Sequence, residues 1–569
     1  MRAVDIIPAV VVVLGGLVGP GSEADAQRNP FELYYEEAEA RTTAALWEDY
    51  DGDGQLDLVF LDHENRTQLY LGLPASTTGT LARLAHIAIV DGVAADFDND
   101  GDPDLVIASL SNRPRAFRNT AGAFAPAGFS ITSAENVRGV TALDANNDGE
   151  LDFFFSRRTG HVNQLLLHTE AGYEVASGDQ NVDSEDSSAS CWTDLDLDGD
   201  LDGYVVNSSS QPNAFYVNEG GALRRAGAVG DALSDALTST SCTWGDADGD
   251  GDFDLFVAGA NGAPSLLYLN TDGRLDRAPE SMFVPPAFDI LGPAWGDVDN
   301  DGDLDLVVAA RDHAAVLYRN EAGVFVGTEV SPSHTQGIVA VAAALADYDS
   351  DGDLDLALAA GGIVDPRPSL LFQNVEAETG AWLSVGLDGT GSNRDGIGAR
   401  VEAFARIEGE PRRIVRQRES QAARGAQAGP WIHVGLGDAS VVDSLVVAWP
   451  SGIRQVLTGL PVNAHVDVVE APPPPTSVES GGAAALSLTV SPNPSPGRFQ
   501  IVAEGVRPGR FRAEVFDARG RRVWADAWVH GSGAPVRAEI DSGHLKAGVY
   551  VVRIWSGSEQ AEQVITLVR

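Results

Sequence analysis

The residues in this chain that could do chemistry are aspartates in a nine-residue pattern that occurs seven times. The pattern has Asp at position 1, Asp or Asn at position 3, Asp at positions 5 and 9, and Gly at position 6. Side-chain oxygens at these positions surround one point, and the backbone carbonyl of position 7 can add another oxygen. Hard oxygen ligands in a flexible loop favour calcium over magnesium, which requires strict octahedral geometry. The pattern therefore predicts about seven calcium sites, one per loop.

The candidate metal ligands form seven sets of four. In chain order they are Asp49, Asp51, Asp53 and Asp57; Asp96, Asp98, Asp100 and Asp104; Asp144, Asn146, Asp148 and Asp152; Asp194, Asp196, Asp198 and Asp202; Asp246, Asp248, Asp250 and Asp254; Asp297, Asp299, Asp301 and Asp305; and Asp347, Asp349, Asp351 and Asp355. The third set has an asparagine in place of an aspartate, so we expect it to be the weakest site. No bidentate glutamate stands at position 12, which excludes an EF-hand.

The charge of the loops also favours metal binding. The seven windows contain 33 acidic residues and no Lys or Arg. One Asp- and Gly-rich string is usually a solvated turn, but repulsion on this scale requires counter-ions, so a metal-free fold is expected to be looser and less stable. The whole chain of 569 residues has 38 basic and 83 acidic residues and a net charge of −45. Such a balance repels phosphates and anionic lipids, so nucleic acid is not a predicted partner.

The elements that must position these loops follow from their period of 47 to 52 residues, which is typical of propeller blades. Small residues precede each loop, as at 342–344, and an apolar run such as 306–308 follows it. Two further apolar stretches complete four short strands per repeat. A β-solenoid is the alternative, but 50 residues are too many for one coil. The sequence predicts an all-β, seven-bladed β-propeller over 27–375, with residues 29–34 supplying the missing outer strand of the last blade.

The loops resemble the FG-GAP or VCBS repeats of integrin α-subunit propellers and of bacterial surface proteins, over residues 47–374. This resemblance implies a seven-bladed β-propeller with calcium in loops at one face. It implies less about function, because such propellers serve adhesion, carbohydrate binding and occasionally catalysis.

The two cysteines of the chain, Cys191 and Cys242, stand three and four residues before two successive loops. Export permits a disulfide between the neighbouring blades, and two free buried thiols are the alternative.

A second domain is predicted over residues 381–470. The strings at 391–401, 433–437 and 446–452 are similar to the ASPIC/UnbV domain, which also follows FG-GAP repeats in cartilage acidic protein and its bacterial relatives. Alternating apolar residues predict a small β-sandwich. A basic patch in this domain either docks on the acidic propeller or forms a solvated face, which is the commoner case. Its members are Arg412, Arg413, Arg416, Arg418 and Arg424.

A Pro- and Gly-rich linker at 471–485 leads to a third domain at 486–569. The strings at 491–494, 515–521 and 545–553 are similar to the type A C-terminal sorting domain of the type IX secretion system. The resemblance implies the type IX machinery as a partner, passage across the outer membrane, removal of the domain, and release or surface attachment. The alternative is a small β-sandwich with a structural or carbohydrate-binding task.

The first 26 residues read as a signal peptide, with cleavage before Gln27. An uncleaved anchor is the alternative, and no membrane span is predicted downstream.

The favoured function is an exported calcium-binding module for binding or adhesion, with an unidentified extracellular protein or glycan as ligand. A secreted polysaccharide lyase or hydrolase is the alternative, although the chain has no His-Glu-x-x-His or Gly-x-Ser-x-Gly motif and no catalytic residue is predicted. A passive matrix component is the third hypothesis.

Overall fold

The computed structural model describes residues 29–471 and 487–567 with short gaps, and nearly all of its regular elements are β-strands. The gaps are 37–39, 65–66, 72–76, 81–87, 128–134, 159, 171, 179–184, 228, 234, 236–237, 284–285, 287, 364–365, 377–379, 492–497, 505–508, 518–521, 531–535, 542–544, 546–547 and 557–558. The predicted signal peptide and all but the first residue of the predicted linker lie outside the described residues. Contacts divide the chain into two compact units, 1–472 and 473–569.

The first unit contains seven antiparallel sheets built on the repeats, and we number them as blades 1 to 7. The strands are given in order from the inner strand outwards. Blade 1 consists of Thr42–Glu48, Asp57–Asp62, Gln68–Leu71 and Thr77–Thr80, and blade 2 of Ile89–Ala95, Asp104–Ser109, Arg115–Arg118 and Ala125–Pro126. Blade 3 consists of Val137–Leu143, Asp152–Arg157, Gln164–Thr169 and Gly172–Val175. Blade 4 consists of Ser187–Thr193, Asp202–Asn207, Ala214–Asn218 and Leu223–Arg225, and blade 5 of Ser239–Gly245, Asp254–Gly259, Leu266–Thr271 and Arg274–Arg277. Blade 6 consists of Ile290–Gly296, Asp305–Ala310, Val316–Asn320 and Phe325–Glu329. Short helical turns occur at Asp231–Leu233 and Pro332–Thr335.

Blade 7 combines both ends of the propeller. Its first three strands are Ala340–Ala346, Asp355–Ala360 and Leu370–Asn374, and its outer strand is Phe31–Glu36 from the start of the described chain. Phe31 is buried against Leu370 and Phe372 in the core between blades 6 and 7. The predicted closure of the ring by an N-terminal strand is therefore confirmed.

The inner strands lie side by side around an axis, and the inner strand of blade 7 lies beside that of blade 1. This is the arrangement of a propeller, so the predicted fold class is confirmed. The small residues before the loops are required by this crowding. A Cβ atom on Gly292 would come within 2.6 Å of the Ala342 Cα in the next blade. Each inner strand also has a register shift after its first residues, which bends it at the axis.

Cys191 and Cys242 form a disulfide between the inner strands of blades 4 and 5. Both are buried, in a core cluster that also contains Tyr204 and Phe215. The disulfide alternative is thus the one that the structure adopts.

The second domain is a sandwich of two sheets, as predicted. One sheet contains Ile432–Gly435, Trp382–Asp388 and Ala464–Val469, and the other contains Glu410–Gln417, Arg400–Ile407, Val442–Ala448 and Arg454–Leu460. Val385, Val401 and Leu445 lie fully buried in the core between the two sheets. Its remaining strand, Ala426–Gln427, pairs in parallel with the inner strand of blade 1.

The C-terminal unit is a second small sandwich. One sheet contains Ser487–Ser491, Arg498–Glu504 and Val536–Asp541, and the other contains Arg522–His530, Gly509–Asp517, Gly548–Ser556 and Glu559–Leu567. Buried residues such as Phe499, Val515 and Ile554 form its core. None of the helices in the described parts of the chain has the length and apolar character needed to cross a membrane.

Candidate metal centre

Each acidic loop connects the inner strand of a blade to its second strand. In blade 1 the loop begins directly after Glu48, and its last residue, Asp57, is also the first residue of the second strand. Because all seven connections follow this rule, the loops lie at the same face of the propeller. The fold therefore brings the four candidate positions of each loop together at the end of its own blade.

The aspartate at position 1 organises its loop by accepting hydrogen bonds from backbone amides. In blade 1 the Asp49 carboxylate accepts from Asp53 N at 3.1 Å and from Gly54 N at 2.9 Å. The same pair of bonds recurs at Asp96, Asp144, Asp194 and Asp347. All seven position-6 glycines have positive φ, between 85° and 102°, a conformation that glycine adopts without steric cost.

The aspartate at position 9 joins three segments of chain. Asp305 accepts from Val298 N at 3.0 Å, within its own loop, and from Asn320 N at 2.8 Å, at the end of the third strand. Equivalent residues in other blades are almost fully buried, and burial raises the pKa of Asp104, Asp152 and Asp254 to about 8. A cation beside such carboxyls would offset this cost by favouring their charged form.

The structure brings acidic groups together in six clusters among the described residues, each with ligand atoms within 4.8 Å of one another. Four contain positions 1, 3 and 5, and a fifth contains positions 1, 3 and 9. These five are Asp49, Asp51 and Asp53; Asp194, Asp196 and Asp198; Asp246, Asp248 and Asp250; Asp297, Asp299 and Asp301; and Asp96, Asp98 and Asp104. In the third loop the Asn146 amide instead donates to Asp148 at 2.9 Å.

Several carboxylate oxygens in these clusters have no hydrogen-bond donor in the described part of the chain, although they are buried. They are the Oδ1 atoms of Asp98, Asp246, Asp297, Asp299 and Asp349. All five belong to positions 1 or 3 of the pattern. A buried oxygen without a donor is unfavourable unless a cation meets it, so these residues fit a hard divalent ion such as calcium.

In four blades, an asparagine that sequence reasoning missed connects the loop to a loop of another blade. Asn320 Nδ2 donates to Ala247 O in the loop of blade 5 at 2.9 Å and to Leu304 O in its own loop at 3.2 Å. Its Oδ1 accepts from Gly323 N at 2.8 Å. The same connections to a preceding loop and to its own loop occur at Asn119, Asn218 and Asn374. The available signal was the recurrence of asparagine at the end of the third strand.

Replacing this asparagine is expected to destabilise the propeller. Asn320→Ala leaves two buried carbonyls and one amide without partners, so the free energy of unfolding should fall by about 2 kcal/mol. Denaturant unfolding in calcium measures the change. The matched control is His168→Ala, at the same position of blade 3, where the backbone amide donates to Asp152 and the side chain contacts Glu150 and Tyr173 instead of loop carbonyls. Equal losses in both variants would contradict this role for the asparagine side chain.

Neighbouring loops are also connected through position 4, which has positive φ in all seven loops. Asn99, Asn147 and Asn300 each donate to the position-6 carbonyl of the next loop, at 2.9 to 3.3 Å. Position 4 is Leu197 in blade 4 and Gly249 in blade 5, so the next loops in the ring lack this donor.

The second domain supplies the missing donors. Arg400 donates to Gly251 O in the loop of blade 5, and Arg416 donates to Gly302 O in the loop of blade 6 at 3.3 Å. Arg416 also lies 3.6 Å from the Asp297 carboxylate, and Arg412 lies 3.5 Å from Asp303. The basic patch therefore docks on the acidic loops, and the solvated-face interpretation is wrong for the buried Arg416 and Arg418.

A segment of the second domain, residues 418–429, enters the axial channel and contacts the inner strands. Arg418 lies 3.3 Å from Glu48, whose carboxylate also accepts from Gln427 at 2.9 Å. Deeper in the channel, Gly425 N donates to the buried Asp91 at 2.9 Å. Ser420 and Arg424 bond to blades 3 and 5. We name residues 418–429 the plug segment.

Comparison with protein families matches three descriptions along the chain. "FG-GAP-like repeat" matches residues 96–155, 194–257, 246–308 and 297–358. "ASPIC and UnbV" matches residues 389–474, and "Secretion system C-terminal sorting domain" matches residues 489–567. The chain combines FG-GAP-like repeats, an ASPIC and UnbV domain and a C-terminal sorting domain. The three resemblances read from the sequence are confirmed.

A comparison with curated proteins gives no match. Among solved structures, the chain is similar to a chain in the crystal structure of BBS1N in complex with ARL6DN, with 14% identity, TM-score 0.44 and coverage of 62% of this chain and 99% of that one. It is also similar to the exotype rhamnogalacturonan lyase YesX, with 11% identity, TM-score 0.36 and coverage of 61% and 76%. A third is Raptor from Chaetomium thermophilum, with 11% identity, TM-score 0.41 and coverage of 63% and 30%. At these TM-scores the likeness carries no argument about function.

The sorting domain indicates export across the outer membrane, to the cell surface or the extracellular space, through the type IX secretion system. The residues matched as FG-GAP-like repeats contain six of the seven sets of candidate metal ligands, and the ASPIC and UnbV domain covers part of the loop face.

Proposed function

We propose that this protein is an exported calcium-binding module for binding or adhesion outside the cell. The observation that carries the metal assignment is the set of buried loop oxygens without a hydrogen-bond donor among the described residues, at Asp98, Asp246, Asp297, Asp299 and Asp349. Each belongs to a loop whose carboxylates lie close together without a basic residue inside the loop. Calcium supplies the charge and accepts the irregular oxygen geometry that a strand-connected loop offers.

The calcium ions have a structural role in this proposal. The ASPIC and UnbV domain contacts the loop face at Asp96, where Asp395 accepts from the backbone amide at 2.8 Å, and at Gly251 and Gly302. A macromolecular ligand is therefore obstructed at these loops. We infer that the ions hold the loops in the conformation that this domain recognises, rather than bridging an extracellular ligand directly.

The domain organisation proposed for the exported protein follows the predicted boundaries. Residues 1–26 are removed on export, residues 27–375 and 381–470 form the functional unit, and residues 471–485 connect it to the sorting domain at 486–569. The sorting domain provides recognition by the secretion machinery, after which the protein is released or attached at the surface.

Native mass spectrometry of the full chain tests the metal assignment. We expect about seven calcium ions per molecule, with the ion of the third loop lost first because of Asn146. Asp250→Asn should remove one ion. The matched control, Asp272→Asn, changes an aspartate of the same blade that lies in a hairpin turn and should retain the full count. Absence of any bound ion at millimolar calcium would refute the assignment.

A further inference from the structure

A cavity of about 150 Å³ lies between the loop face of the propeller and the ASPIC and UnbV domain. Its propeller side is formed by inner strands and loops of blades 5, 6, 7 and 1, and its other side by residues around the plug segment. Trp244, Trp295 and Trp431 contribute aromatic surface to it, and Glu419 and Arg416 contribute charged groups. The lining also contains the candidate metal ligands Asp297 and Asp347, but neither the metal ligation nor the domain contacts described above use the tryptophans.

Two of these tryptophans have buried indole N–H groups without a hydrogen-bond acceptor among the described residues. They are Trp244 and Trp295, which stand two positions before the loops of blades 5 and 6. Trp47 and Trp192 stand at the same position of other blades, and their N–H groups donate to Ala344 O at 3.4 Å and to Ser190 Oγ at 3.1 Å. Of these four tryptophans, the two that line the cavity are therefore the two whose N–H groups have no acceptor among the described residues. A buried donor without an acceptor costs free energy, so a bound acceptor is favoured there.

The carboxyl group of Glu419 provides the complementary chemistry. The residue lines the cavity next to Arg418. Burial raises the pKa of Glu419 well above its usual range, and only Arg418 opposes this. This burial favours the neutral form of the carboxyl group, which can accept a hydrogen bond from a ligand hydroxyl.

The two guanidinium groups beside the cavity are already paired with carboxylates. Arg416 faces Asp297 at 3.6 Å and Arg418 faces Glu48 at 3.3 Å, and each retains a buried Nε without an acceptor among the residues described. The lining also contains the carboxyl groups of Asp297 and Asp347, which disfavour an anionic ligand. It offers indole N–H donors, carboxyl acceptors and aromatic faces, which suit hydroxyl groups attached to an apolar ring.

We propose that this cavity binds a neutral monosaccharide unit, whose hydroxyl groups accept from Trp244 and Trp295 and donate a hydrogen bond to Glu419. A protein cavity of about 150 Å³ accommodates a benzene-sized ring, so no more than one sugar unit can enter this one. The tryptophans and the surrounding leucines contact the faces of the ring. The site binds one sugar and performs no chemistry on it.

This inference names a ligand for the proposed binding role, but it does not depend on the metal assignment. Calcium is counted by mass spectrometry, whereas the sugar is detected at the tryptophans, so each proposal can fail while the other stands. The sugar titration is carried out in calcium and repeated in chelator. A response in both conditions supports the cavity even if the metal assignment fails.

The experiment is a titration of the full chain with glucose, galactose, rhamnose and glucuronate, followed by tryptophan fluorescence and by calorimetry. We expect saturable binding of at least one neutral sugar and at least tenfold weaker binding of glucuronate. Trp244→Phe and Glu419→Gln should each weaken binding about tenfold. The matched control Trp192→Phe removes an indole N–H at the same position of blade 4, outside the cavity, and should leave affinity unchanged.

Stability measurements without sugar distinguish binding from damage to the fold. Trp244→Phe and Trp192→Phe lose the same buried ring volume, but only Trp192→Phe also loses a hydrogen bond, so Trp244→Phe should have the higher melting temperature of the two variants. No saturable response to any of the four sugars at about 10 mM, tenfold above a weak dissociation constant of about 1 mM, would overturn the proposal. Binding that survives both Trp244→Phe and Glu419→Gln would also overturn it.

Discussion

Chelation of calcium is expected to lower the melting temperature of the propeller unit by about 10 °C or more. One site contributes about 2.7 kcal/mol when free calcium is 100-fold above its dissociation constant. Six acidic clusters occur among the described residues, so several such contributions add together. For a unit of about 440 residues the unfolding entropy corresponds to roughly 0.9 kcal/mol per degree, which converts a loss of about 10 kcal/mol into a shift of about 10 °C.

Differential scanning calorimetry in calcium, in chelator, and in chelator with magnesium at constant ionic strength measures this effect. Magnesium should restore little of the lost stability, because it requires an octahedral shell that these loops do not offer. The C-terminal unit contains none of the acidic loops, so its own transition is an internal control and should not move. Identical melting temperatures in calcium and in chelator would contradict a structural role for the ions.

The local part of this architecture was predictable from sequence because it is repeated. The loop glycines, the apolar runs and the small inner-strand residues occur at the same offset in each repeat. An ambiguous strand assignment in one blade can therefore be settled by comparison with the other blades. Closure by Phe31–Glu36 followed from counting strands, since the last repeat lacked one. The asparagine connections were visible only as a recurrence, because their hydrogen bonds join segments about 70 residues apart, as between Asn320 and Ala247.

The position of the ASPIC and UnbV domain could not be predicted in the same way. Arg418 and Glu48 are separated by 370 residues, and any of the 83 acidic residues was an equally plausible partner for each arginine of the patch. Four loops have no asparagine at position 4, where Gly52, Leu197, Gly249 and Ser350 stand, so this signal alone does not select the loops of blades 5 and 6. Arg400 and Arg416 contact the two loops that follow Leu197 and Gly249.

Breaking the ion pair between the plug segment and blade 1 is expected to destabilise the unit strongly. Glu48 and Arg418 are each about 4% exposed. Glu48→Leu leaves the guanidinium of Arg418 and the amide of Gln427 without this carboxylate, so the free energy of unfolding should fall by about 3 to 5 kcal/mol. Arg418→Met should also be destabilising, because Arg418 additionally donates to Gly429 O at 3.1 Å.

The double variant decides whether the two residues act on each other. Removing both charges eliminates the unpaired group, so Glu48→Leu with Arg418→Met should cost less than the sum of the single variants by at least about 1.5 kcal/mol. The control cycle uses Arg41 and Glu64, a more exposed pair at 2.6 Å, for which the coupling should stay below about 1 kcal/mol. A buried pair that couples no more strongly than this control would contradict insertion of the plug segment.

Repeating the cycle in chelator links the metal to the domain interface. Glu48 directly precedes Asp49, the first candidate ligand of loop 1, and Arg416 faces Asp297, the first candidate ligand of loop 6. If calcium holds these loops in the conformation that the ASPIC and UnbV domain recognises, the coupling between Glu48 and Arg418 should decrease when calcium is removed. Unchanged coupling would mean that the domain docks on loops that are already ordered by their own hydrogen bonds, such as those that Asp49 accepts from Asp53 and Gly54.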